Sequence, residues 1–184
     1  MRILALSLLW IATAAVGGTP TISDGGALRS ILSCPLEDGS RITLMAKSRG
    51  VDGDSLFVQV RGKTEHAFLD MPDTDFVGRI VLSKCVDKTL VFALDYGSPY
   101  LKGVAIRQNP RTHVEERIYF AEKSLPRWLY VGRQEMLVII PNEGYETDKK
   151  YLVYRYLAGK GQPTESTPTD RLPITKRNLI EFSN

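Results

Sequence analysis

The sequence predicts an all-β domain, either an antiparallel β-sandwich or a β-barrel, stapled by one disulfide between Cys34 and Cys85. Three observations predict it. Apolar and polar residues alternate over several short stretches, turn residues punctuate those stretches, and two cysteines follow an export-like leader.

The leader comes first. Residues 1–18, MRILALSLLWIATAAVGG, run from one positive charge at Arg2 through an apolar stretch into small residues, the order of a cleaved signal peptide. The apolar run from Ile3 to Val16 is shorter than the ~20 residues that cross a bilayer, so it reads as a signal and not as an anchor. The expected organisation is a signal peptide at 1–18, a β-rich domain at 19–158, and a flexible Pro/Thr-rich tail at 159–184 whose end can dock. Export places the protein in a periplasmic or secreted compartment, where two thiols oxidise. Two cysteines allow one pairing, and closing that loop stabilises by about 4 kcal/mol through chain entropy. The chain lacks any Asn-X-Ser/Thr site, which leans toward a bacterial envelope.

The strands follow in order. From Arg41, Ile42, Leu44 and Ala46 share one face, and Leu56, Val58 and Val60 repeat the two-residue period. Between them Asp52-Gly53 supplies the positive φ that a hairpin connection needs. Phe76 to Cys85 and Thr89 to Asp95 form a second pair around the turn Val86-Asp87-Lys88. Leu90 to Leu94 is continuously apolar, which fits a strand buried on both faces. Leu101 to Gln108, Val114 to Phe120, Trp128 to Val131, Glu135 to Ile140 and Lys150 to Leu157 complete the expected strands, the last two flanking the turn Pro141 to Gly144. In the last strand Tyr154 and Tyr156 share a face opposite Tyr151. Gly159 to Pro173 is too polar to order itself, whereas Ile174, Leu179, Ile180 and Phe182 suit a docked strand or helical turn.

Chemistry is sparse. The chain carries 24 basic and 21 acidic residues; Arg2 is the sole charge in the leader. Such a balance argues against nucleic acid as a partner. His66 and His113 are the side chains that ordinarily titrate near neutrality. Neither sits in a catalytic or zinc-binding frame, so the expectation is a protein that is not an enzyme, with no catalytic residues, cofactor or metal.

The acidic loop Asp70, Asp73 and Asp75 is the expected partner-binding site. A solvated turn and a calcium site are its competing readings. Arg107, Arg111, Arg117, Lys123, Arg127 and Arg133 interleave with Tyr119, Phe120, Trp128 and Tyr130. Such a mixture can stack on a sugar or a nucleobase, or grip an anionic polymer. Glu115, Glu116 and Glu122 offset that charge, and the simpler reading is core aromatics with solvated charges outside.

The opening Cys34-Pro35-Leu36-Glu37-Asp38-Gly39, leading into the strand from Arg41, resembles the start of periplasmic lysozyme inhibitors of the membrane-bound/C-type family. The resemblance implies a small exported β-barrel that plugs an enzyme's active site. It covers this opening alone and carries over no functional residue. The functional expectation is an exported binding protein, monomer or oligomer unspecified, that neutralises a toxic or cell-wall-degrading enzyme, as immunity proteins and lysozyme inhibitors do. One alternative is an envelope hydrolase using carboxylates or His66 and His113. The other is a lipid-carrying or structural envelope barrel.

Overall fold

The computed structural model describes residues 26–143, 147–162 and 165–182, so the signal-peptide reading of 1–18 lies outside the described residues. The strands are β1 (Leu28–Pro35), β2 (Arg41–Ser48), β3 (Asp54–Val60), β4 (Lys63–His66), β5 (Val77–Val86), β6 (Thr89–Asp95), β7 (Leu101–Gln108), β8 (Glu115–Glu122), β9 (Trp128–Val131), β10 (Glu135–Pro141), β11 (Tyr151–Leu157), β12 (Thr167–Thr169) and β13 (Ile180–Glu181). They form two antiparallel sheets. The larger runs β1-β2-β3-β5-β6-β7-β8 with β4 also on β3, and the smaller runs β12-β11-β10-β9-β13.

The larger sheet folds over on itself where β3 hands over to β5. There Asp54 and Ser55 pair with Gly78 and Val77, while β4 takes the rest of the same edge of β3. Backbones come so close at this crossing that a Cβ on Gly78 would run into the Asp95 carbonyl, which glycine alone avoids. The fold-over creates the first core. Ile42, Leu44 and Ala46 of β2 and Leu56 and Val58 of β3 face Leu90, Phe92 and Leu94 of β6 with Val104 and Ile106 of β7. Phe68 and Phe76 close it edge to face, their ring centroids 5.4 Å apart.

The opposite face of β6 to β8 builds the second core. Val91, Ala93, Ala105, Ile118 and Phe120 pack against Met136, Val138, Ile140, Leu152 and Tyr154 of the smaller sheet. β6 is therefore buried on both faces, which its apolar run Leu90 to Leu94 required. The outer face of the smaller sheet, Trp128, Leu137, Ile139 and Val153, is covered by Leu172, Ile174 and Leu179 of the C-terminal segment. The architecture is sandwich-like and not a closed barrel, and the interiors are filled by side chains.

The Cys34–Cys85 disulfide joins β1 to β5 across a sequence separation of 51 residues. Cys34 is fully buried in the first core. β1 carries no alternating pattern because its register against β2 shifts between Ser30 and Leu32, a bulge that breaks the two-residue period. β4 is short and polar. Its position follows from the preceding Arg61-Gly62 turn, where both residues have positive φ, 50° and 80°.

Candidate functional site

The segment between β4 and β5 is anchored from beneath. Ala67, Phe68 and Phe76 are buried, whereas Leu69 and Met71 stand 42% and 45% exposed. Two main-chain hydrogen bonds turn the loop, Met71 N–H to the Phe68 carbonyl at 3.3 Å and Thr74 N–H to the Met71 carbonyl at 3.1 Å. Its flanks are pinned by ion pairs. Lys102 of β7 holds Asp70, and the Arg49 guanidinium holds Asp75 at 2.7 Å. Of the three aspartates singled out from sequence, two thus fasten the loop to the body and Asp73 is exposed.

The Lys102 pin is desolvated. Its side chain is 6% exposed. The ammonium lies 5.6, 5.9 and 6.0 Å from the ring centroids of Phe76, Phe68 and Tyr119. Aromatic faces together with a carboxylate compensate a cation that water no longer solvates.

Beside this loop a groove of about 630 Å³ follows the free edge of β8. The volume lies within the range of about 300–1,000 Å³ typical of ligand sites. Glu115, Arg117, Tyr119 and Ala121, every second residue of β8, line one side, and Tyr154, Tyr156 and Gln162 line the other. Arg117 bridges two carboxylates, Glu65 and Glu115, each at 2.5 Å. Burial, the largest single influence, would lower the Arg117 pKa, but the hydrogen bond and charge of Glu115 together with Tyr119 outweigh it and hold the guanidinium charged.

The tyrosines are held neutral. Burial, with the Glu122 carboxylate accepting its hydroxyl at 2.6 Å, pushes Tyr154 far above the ordinary phenol range. Burial also raises Tyr119, partly opposed by Arg117, and raises Tyr156, where the Glu116 charge adds to it. The edge of β8 is capped by side chains. The Gln162 amide accepts from Tyr119 N–H at 2.8 Å and donates to the Tyr119 carbonyl at 2.7 Å.

One expectation is corrected here. Arg107 and Arg117 are not solvated charges, since their side chains are 2% and 11% exposed. Arg107 lies directly opposite Glu116 in the β7–β8 register and donates to it from Nε at 2.6 Å. Its Nη1 donates to the Gly132 carbonyl at 2.6 Å, while Asn109 donates to the second Glu116 oxygen at 2.7 Å. Opposite charges facing each other across a hairpin are the sequence signal that identifies this pair. The network ties the β9–β10 turn to the middle layer, and Arg107 Nη2 is left without a partner.

The two histidines lie on separate elements. His66 ends β4 and packs on Phe57 with ring centroids 4.8 Å apart, and His113 sits in the β7–β8 connection with φ of 55°. Neither lines the groove or the small cavity of about 120 Å³ beside Arg107. Among the described residues no three His, Cys, Asp or Glu side chains gather as a metal-ligand set. Compared with models of known families, with curated proteins and with solved structures, the chain matches none.

Proposed function

We propose that this chain is an exported binding protein that neutralises a toxic or cell-wall-degrading enzyme by presenting the loop Leu69–Asp75. The observation that carries the reading is the pinning of that loop. Fixed at Asp70 and Asp75, it offers two large apolar side chains and one acid, Asp73, with little left to order on association. Pre-organised loops of this kind lose less conformational entropy on binding, so more of the contact energy appears as affinity. Apolar anchors rimmed by charge are also the common anatomy of a protein interface.

Two further features support the reading. The disulfide suits an oxidising compartment, in keeping with an exported chain. The carboxylates of the groove, Asp70 and Glu115, are each engaged by a cation of the molecule itself, Lys102 and Arg117, as parts of a built surface.

The test is a lysis assay. Lysozymes of the chicken, goose and invertebrate classes act on a bacterial cell-wall suspension with and without equimolar protein. Inhibition of one class, lost by about tenfold or more in the Leu69→Asp/Met71→Asp double variant, supports the reading, the loss being that of a buried apolar anchor. Undiminished lysis by all three, or inhibition indifferent to the loop, counts against it.

A further inference from the structure

We infer that the groove along β8, which meets the loop proposed above at Asp70, is a binding site for a neutral oligosaccharide chain. The argument begins with charge. Every charged side chain that lines the groove is already matched inside the molecule: Lys102 by Asp70, and Arg117 by both Glu115 and Glu65. An ionic ligand would have to displace one of these partners and strand a partly buried charge, whereas a neutral one leaves the pairs intact.

The remaining polar chemistry is that of hydroxyl recognition. Arg117 gives Nε to Glu115 and Nη2 to Glu65, and a guanidinium has five N–H groups while each carboxylate has about four lone-pair sites, so these ion pairs leave polar capacity over. The Gln162 amide spends one N–H and one lone pair on Tyr119 and keeps the other of each. The Tyr154 hydroxyl is spent on Glu122, which leaves the Tyr119 and Tyr156 hydroxyls as the phenols able to donate and accept. Between these groups lie aromatic surfaces, Tyr119 and Tyr156 among them, against which the C–H face of a pyranose ring can pack.

Length decides for a chain over a single sugar. The groove follows β8 from Glu115 to Ala121, which at the rise of an extended strand is about 20 Å. That accommodates several linked rings in a row.

The test uses the folded protein, with calorimetry and amide NMR shifts as readouts. The probes are cellotetraose, maltotetraose and the N-acetylglucosamine tetramer, with tetragalacturonate as the charged counterpart. At least one neutral tetrasaccharide should bind with Kd of about 1 mM or tighter. Shifts should fall on Tyr119, Ala121 and Gln162. Tyr156→Ala should weaken binding about tenfold or more, the loss for one stacked ring, and Tyr156→Phe, which keeps the ring, should stay within about threefold. Asp73→Asn, in the loop but neither lining the groove nor pinning the loop, should leave the sugar affinity unchanged, which separates this site from the loop contact. Absence of binding by all neutral probes, indifference to Tyr156→Ala, tetragalacturonate binding as tightly as the neutral chains, or release of shorter fragments would each overturn the inference.

Discussion

The side-chain amide of Gln162 closes both main-chain hydrogen bonds of Tyr119, so a single residue from outside the larger sheet takes the place of a neighbouring strand on β8. An exposed strand edge is a template for unwanted pairing. Here one rung is closed by an amide, and Tyr154 of the smaller sheet lines the same stretch of edge beside Ala121.

Gln162→Ala should therefore open the edge. Two partly buried hydrogen bonds are lost, lowering stability by about 1–2 kcal/mol. Amide exchange at Tyr119 should accelerate in native-state hydrogen exchange while amides of β6 keep their protection. Equal acceleration in both strands would show that the effect is global and that Gln162 does not act at the edge.

The disulfide should stabilise strongly. β1 is an edge strand hydrogen-bonded to β2 alone, and Cys34–Cys85 ties it to β5 in the opposing half of the first core. Cys34→Ser/Cys85→Ser should lose about 2–5 kcal/mol in chemical unfolding. An unchanged denaturation midpoint would mean that packing of Ile42, Leu44 and Phe92 suffices to close that core.

Alkaline conditions should weaken the fold through its tyrosines. Tyr154, raised by burial and then by Glu122, binds its proton more tightly folded than unfolded, and Tyr119 and Tyr156 shift the same way. A raised folded pKa gives stability that is complete below the unfolded phenol value of about 10 and is lost as pH climbs from there toward the folded value. Melting temperature should be flat below about pH 9 with respect to these groups and fall above about pH 10. Tyr154→Phe should make that fall shallower. An identical alkaline slope in the variant would exclude Tyr154 as a contributor.

How far these features could be read in advance differs by kind. β6 was legible because five successive apolar residues, Leu90 to Leu94, have no polar face to turn outward. The disulfide was legible because two cysteines leave one choice. β1 was not, since its bulge scatters Leu28, Ile31 and Leu32 off the two-residue period. The acidic loop stood out in sequence, but its pins did not: Lys102 and Arg49 lie 32 and 26 residues from their partners. The groove left no local trace, because Asp70, Lys102, Tyr119, Tyr156 and Gln162 come from five segments that tertiary folding alone assembles. The tail composition hid β12, which is ordered by its partner on β11 and not by its own propensity, whereas the apolar residues that suit a docked strand include Ile180 of β13, paired with β9.

The double burial of β6 has a consequence for how much the chain can change. Phe92 belongs to the first core, and its neighbours Val91 and Ala93 belong to the second. A slip of one residue would exchange a ring for a methyl group on one side and a methyl group for a ring on the other. Insertions or deletions between Leu90 and Leu94 thus damage both halves of the molecule at once, and no compensating change in either half can repair the other. The strand acts as a shared ruler: the two halves of the protein are free to drift in sequence at their surfaces, but they can only inherit its register together.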